Sequence, residues 1–205
     1  MLSLSQERAE RTRHRLVQAA ATEFSCHGYQ GTSLVRISKA AGVTMGALTF
    51  HFPAKVDLAD AVYADATTAA RAAVEHAHAS GEPPLQTVVN ITHALSRLLR
   101  EQDTVRAAVR LGRENRPTKA DLSDLWMPRV RGLLHQAHAD KELHPHATPD
   151  VVLAMVGALI AAFELLDCPH QVEGSNGPPL SDVWNLLMPA VSAGGHTVHP
   201  YSTTP

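Results

Sequence analysis

Residues 28–55, GYQGTSLVRISKAAGVTMGALTFHFPAK, fit two short helical patterns around one glycine, and few arrangements satisfy that spacing. Leu34, Val35, Ile37, Ala40 and Ala41 give the first helix one apolar face, with Thr32 or Ser33 as its N-cap and Gly42 as its stop. After a turn of about three residues, Thr44 caps a second helix that ends near Phe52, because Pro53 cannot continue it. The second pattern is too polar and too brief to be core. Two helices joined in this way form a helix-turn-helix, whose second helix is shaped to enter a DNA major groove.

Charge is distributed in keeping with that reading. Residues 1–55 hold seven Lys/Arg against three Asp/Glu, a net +4, while the remaining 150 residues carry −6. A basic head on an acidic body turns the head toward phosphate. The apolar content of 44% is enough to bury a core in a chain of 205 residues. No run of 18 apolar residues occurs, and the start MLSLSQERAERTRHR lacks the apolar segment of a signal peptide. The expectation is a cytoplasmic protein without membrane contact, associated with the nucleoid when bound to DNA.

Almost everything reads helical, with no alternating strand pattern and no internal repeat. A first helix spans about 5–27, stopped by Gly28, and a fourth about 55–79, ended by Ser80-Gly81. Leu85, Val88, Val89, Thr92, Leu95, Leu98 and Leu99 mark a fifth; Asp103 caps a sixth through Val105, Ala108 and Val109 that fades at Gly112. The seventh covers about 121–141, with Pro128 in its first turn or kinking it. Thr148-Pro149-Asp150 opens an eighth that is apolar nearly all round, so both faces should be covered, one by a second subunit. Residues 174–179 read as a loop, about 181–191 as a last helix carrying Trp184, and about 193–205 as a disordered tail. The fold class is all-α, with a helix-turn-helix domain over 1–54 and a ligand-binding and dimerisation domain over 55–205. A homodimer through the eighth and last helices follows, because the apolar helix and Trp184 need a partner surface.

On the second short helix, Thr44, Met45, Gly46, Ala47 and Thr49 form the groove-facing surface. Gly46 lets the backbone come close, while Ala47 and the Thr49 methyl suit a thymine methyl. His51 and Lys55 lie at a helix end and at the next helix start, where phosphate is the natural partner. Thr32 and Ser33 join the DNA-facing set, and Arg36 is either a phosphate or base contact or part of a solvated face.

The same residues resemble the DNA-binding domain of the tetracycline-repressor (TetR) family. The matches are Leu16, Val17, Ala20, Ala21 and Phe24, then Gly28-Tyr29, Thr32-Ser33, Ala41 to Val43, and His51 to Lys55. They cover about residues 8–62. ALTFHFPAK is most similar to the γ-butyrolactone receptors and their pseudo-receptor relatives, which control antibiotic biosynthesis genes. The resemblance implies a repressor released from a palindromic operator on double-stranded DNA by a small apolar effector, either a butyrolactone-like signal or an antibiotic. Family recognition helices commonly read T-K-G-A-L-Y-F-H-F, with the lysine and tyrosine on phosphates, whereas Met45 and Thr49 stand there in this chain.

For the effector, the resemblance points to Trp126, at the start of the seventh helix, where those receptors carry a tryptophan that packs on the lactone. Val88, Val109, Leu111, Val130, Met155, Leu159 and Phe163 could then line an apolar cavity, although each is also ordinary core material. Aligned on the VG of the eighth helix, the receptors tend to place a threonine where Ala158 stands, so a bulkier or more apolar effector fits as well.

Thirteen histidines raise a metal site: His135 and His138 are three apart on one helix, with His144 and His146 beyond. Lacking cysteine or acid at ligand spacing, they read as solvated surface, and neither metal nor cofactor is implied. Cys26 and Cys168 read as reduced thiols. No phosphate loop, GxSxG elbow or HExxH occurs, so an enzyme is not expected. The rival classes are a metal- or redox-sensing helical regulator and a helical dimer that no longer binds DNA.

The departure at Met45 is open to measurement. Replacing Met45 by Lys adds one phosphate contact in each subunit of a dimer, so the log–log salt dependence of DNA affinity should steepen by up to roughly two units. Scrambled DNA should gain nearly as much as operator, because phosphate contacts carry no sequence. An unchanged slope would mean that residue 45 faces bases instead.

Overall fold

The computed structural model describes residues 4–114, 121–166 and 179–194. These residues form nine α-helices: α1 Leu4–His27, α2 Leu34–Ala41, α3 Met45–His51, α4 Lys55–Ala79, α5 Pro84–Glu101, α6 Asp103–Arg113, α7 Ser123–Ala139, α8 Pro149–Leu166 and α9 Leu180–Val191. Among the described residues the one departure from helix and loop is an isolated antiparallel bridge between Leu143 and Ser192. Cys168, most of the loop expected at 174–179 and the tail from 195 lie outside the described residues.

Two compact units divide the chain out of sequence order: residues 1–69 with 101–122, and 70–100 with 123–205. The first unit extends past the boundary expected after residue 54. The reason is apolar. Leu58, Ala59 and Val62 of α4, and Ala107 and Leu111 of α6, complete the core built on Leu16, Val17, Ala20, Ala21 and Phe24 of α1, Ile37 of α2 and Leu48 of α3. α4 therefore gives residues 55–69 to one unit and 70–79 to the other.

Local chemistry sets the boundaries within the first unit. Gly28 ends α1 at φ +67, and its N–H returns to the Phe24 carbonyl at 2.9 Å. In α2, the Ser33 hydroxyl accepts the Arg36 N–H. At the other end Gly42 sits at φ +63; its N–H reaches Lys39 and that of Val43 reaches Ser38, the paired bonds of a Schellman stop. Thr44 caps α3 by accepting the Ala47 N–H at 3.2 Å. Asp103 is not the cap expected for α6: Gln102 holds that position, and the Asp103 carboxylate is engaged by Thr22 and Arg106 instead.

In the second unit, Leu85, Val88, Val89, Leu95, Leu98 and Leu99 of α5 are buried, as are Trp126, Val130, Leu133, Leu134 and Ala137 of α7. α7 packs on α8. Pro128 is the sixth residue of α7, and the helix runs on through it. The Glu142 carboxylate accepts the Leu85 N–H at 2.9 Å and so caps α5 from a distance.

Trp184 corrects one expectation. It needs no partner subunit, because it is fully buried in its own and its indole N–H donates to the Thr92 hydroxyl at 2.8 Å. The exposed apolar side chains of this unit include Val151, Ala154, Ala158, Ala161 and Ala162 on α8 and Leu186 on α9. Among the described residues, α8 is thus not covered all round.

The Trp184–Thr92 bond gives a test of the second unit. Thr92→Val keeps the shape but strands a buried indole N–H, which should cost about 1–3 kcal/mol in urea or thermal unfolding. Wild-type stability in that variant would show that the bond contributes nothing.

Candidate nucleic-acid interface

α3 has seven residues and buries one side chain, Leu48, with Phe52 buried just beyond its end. That anchor turns Met45, Gly46, Thr49 and Phe50 outward, positions one turn apart on a single face. Ala47 and His51 are half-buried at its edges. The Thr49 hydroxyl donates back to the carbonyls of Met45 and Gly46, a local bond that leaves the methyl as its apolar feature. A Cβ built on Gly46 would meet nothing within 4 Å, so the fold of this chain does not ask for glycine there.

Phe50 is the residue that the sequence reading missed. It is 81% exposed, with the His51 ring edge-on at 5.2 Å. Its place four residues after Gly46 was the available signal, since that spacing puts both on one helical face. The exposed ring and the bare Gly46 backbone share the outward face of α3.

Two residues expected to face DNA turn inward. Thr32 is buried, and its hydroxyl donates to the carbonyls of Gly28 at 2.7 Å and Glu23 at 3.1 Å. The half-buried Lys55 ammonium donates to the carbonyls of Tyr29 and Thr32 at 2.7 and 2.8 Å and lies 4.1 Å from the Tyr29 ring centroid. It is a tether of the fold rather than a phosphate hook. The start of α4 already has its own acid, because the Asp57 carboxylate accepts the Ala54 N–H at 2.8 Å.

Other cations surround the face. Arg36 is half-exposed, with its Nε–H on Glu23 at 2.9 Å. Ser33 and Lys39 are exposed beside it on α2. From α1, Arg13 lies over the Phe52 ring at 5.2 Å and Arg15 donates to the Ala41 carbonyl at the end of α2. Neither arginine stood out in the sequence, since α1 carries charge along most of its exposed length. Of the residues expected to face DNA, Ser33, Arg36, Thr44, Met45, Gly46, Ala47, Thr49 and His51 are exposed or half-buried, as is Phe50.

The effector candidates divide between the units. Val88, Trp126, Val130 and Phe163 are buried, and Met155 and Leu159 half-buried, all in the second unit. Val109 and Leu111 belong to the first, where α6 packs along α1 and Leu111 joins its core. Ala158 is exposed on α8, and the threonine that the receptors tend to carry there would point out of this unit. A polar group inside the unit that sequence reasoning missed is His93 of α5. Its Nε2 is buried and meets no protein partner; burial, with the Arg100 charge adding to it, holds the imidazole below its usual range and hence neutral near pH 7.

His144 and His146 pair their rings at 5.3 Å, but among the described residues no three His, Cys, Asp or Glu side chains gather. Cys26 is a free, half-buried thiol beside Ser25. No helix among the described residues is long and apolar enough to cross a membrane.

Residues 16–62 match the profile described as bacterial regulatory proteins, tetR family. The A-factor receptor protein of Streptomyces griseus is 26% identical over 196 residues, covering 95% of this chain and 68% of that protein. Among solved structures, a gamma-butyrolactone receptor (ArpA-like protein) is 28% identical over 90% of this chain and 89% of its own, with a TM-score of 0.73. TylP, a TetR regulator from Streptomyces fradiae, is 32% identical over 90% of this chain and 88% of its own, with a TM-score of 0.54.

Gly46 separates folding from recognition. Gly46→Ala meets empty space and gains up to about 1 kcal/mol of helix propensity, so its melting temperature should hold or rise. The added methyl should hold the α3 backbone away from a groove floor and weaken DNA binding by about tenfold or more. Binding equal to wild type would place Gly46 outside the contact.

Proposed function

The chain belongs to the TetR family of bacterial regulators, is γ-butyrolactone receptor-like and is not an enzyme, and on that premise we propose that it is a ligand-released repressor. It acts as a homodimer on a palindromic operator, in control of antibiotic biosynthesis genes or their regulators. The observation that carries the DNA-binding part is the outward face of α3, where Gly46 meets no packing need and Thr49 and Phe50 stand exposed.

Dimerisation through α8 and α9 is supported by the exposed apolar residues Val151 and Leu186 and by the exposed small side chains Ala154, Ala158, Ala161 and Ala162 of α8. To enter successive major grooves on one face of DNA, the two α3 helices of the dimer must stand roughly 34–36 Å apart. The effector is a small apolar molecule, butyrolactone-like or an antibiotic, held in the second unit against Trp126, with neutral His93 as a candidate hydrogen-bonding partner. α4 is shared by both units and is the covalent route by which a change around Trp126 alters the spacing of the α3 helices. Coupling is reciprocal: the effector prefers the DNA-incompetent arrangement, typically by about 1–3 kcal/mol. The working place is the cytoplasm, on the nucleoid when DNA is bound.

A mobility-shift assay on the DNA beside its own gene tests the repressor reading, and an organic extract of the producing culture supplies the effector. The chain has two tryptophans, so Trp126→Phe leaves Trp184 as the reporter. This variant should keep its DNA shift, need about tenfold more extract for release, and lose the quenching that the wild type shows. Release at the wild-type dose, with Trp184 quenched as before, would reduce Trp126 to ordinary core.

A further inference from the structure

One residue of α1 holds the start of α2 at two points. The Glu23 carbonyl accepts the Thr32 hydroxyl at 3.1 Å, and the Glu23 carboxylate accepts the Arg36 Nε–H at 2.9 Å. Between these two anchors lies Ser33, the cap of α2. The two side chains differ in exposure: that of Glu23 is 16% exposed, that of Arg36 49%. His27, one turn along α1, brings Nε2 to 3.9 Å from the same carboxylate oxygen. The pair commits one of the five guanidinium N–H groups, on the side nearest the backbone, and leaves the outer fork to meet a partner.

We propose that Glu23 is a positioning residue for operator selection, acting through Arg36. This rests on the DNA-binding reading above. A free arginine on a helix surface reaches any phosphate nearby and loses rotamer freedom when it does. Held at Nε by a mostly buried acid, Arg36 keeps one orientation before DNA arrives, and less freedom is lost on binding. The carboxylate also sets a negative charge behind the guanidinium. It therefore opposes loose attachment to phosphate, the term that dominates non-specific binding, while a base edge or one well-placed phosphate still meets the fork. Glu23 contributes to discrimination rather than to overall grip.

The consequence has an unusual sign. Removing the charge of Glu23 should weaken binding to the preferred sequence and strengthen binding to others, whereas damage to the fold weakens both together. The test uses the full chain and two duplexes. One is recovered by wild-type protein from a random-sequence library; the other is a scrambled duplex of equal length and composition. Glu23→Gln, Arg36→Ala and the double variant are titrated with each duplex at one salt concentration, with melting curves alongside. Glu23→Gln should lower the ratio of selected to scrambled affinity by about tenfold, the scrambled duplex binding tighter than to wild type. In the Arg36→Ala background, Glu23→Gln should leave the ratio unchanged.

Equal losses on both duplexes, with a lowered melting temperature, would make Glu23 a purely structural residue and overturn the proposal. So would the same drop in ratio with and without Arg36. If wild-type protein recovers no sequence from the library, the DNA-binding reading itself falls, and the role of Glu23 with it.

Discussion

The backbone and ring of Tyr29 are where the first unit is joined. The Glu114 carboxylate, just past α6, accepts the Tyr29 N–H at 2.7 Å; the Lys55 ammonium of α4 donates to its carbonyl; Phe24 of α1 stacks on its ring at 5.9 Å. Lys55 then continues to the Thr32 carbonyl, one residue before the cap of α2. Four helices are thus referred to one short loop. Hydrogen bonds to charged groups contribute about 1.5–3 kcal/mol each, and less where they are half-exposed, as here. The two arms at Tyr29 are ionic on opposite sides, a cation on the carbonyl and an anion on the N–H. Arg110 adds to the same corner by donating to the carbonyls of Ser25 and Cys26, the last turn of α1, which would otherwise end in open acceptors.

This joint explains which features could be read from the sequence and which could not. Caps and stops are local chemistry: Ser33, Gly42 and Thr44 act within three or four residues of themselves, and the order of types announces them. Apolar spacing on α1 and α5 is equally direct, as are the bounds of α4. Lys55 is different. A lysine at a helix start, in a basic segment, looks like a phosphate contact, and only the folded chain reveals two carbonyls, 23 and 26 residues earlier, in need of a donor. Thr32 and Ser33 are adjacent and chemically alike, yet one is buried and one caps; a shift of one residue in helix start decides it. Leu111 and Trp184 misled for one reason. Apolar character says that a side chain will be covered and is silent on what covers it.

The two units solve the covering of polar groups in different ways. The first satisfies backbone ends with long charged side chains, Arg15, Lys55, Arg110 and Glu114. The second sinks Thr87, Asn90, Thr92 and Ser96 into α5, and binds most of them locally or to Trp184. A rigid, ion-fastened head suits a surface that must present fixed groups to a fixed partner. A helix with neutral polar groups along its buried side satisfies them without burying a charge.

Gly46 has a consequence on the scale of lineages. Protein folds usually keep a glycine because the backbone or a neighbour requires it, so its loss is punished by misfolding. Here neither applies, and the nearest space is empty. Selection for a folded, abundant protein does not ask for glycine here and favours replacements that extend the helix. A glycine kept at 46 would therefore answer to what descendants touch outside themselves. In a lineage released from that demand, this would be among the first residues to drift, long before the core records any change.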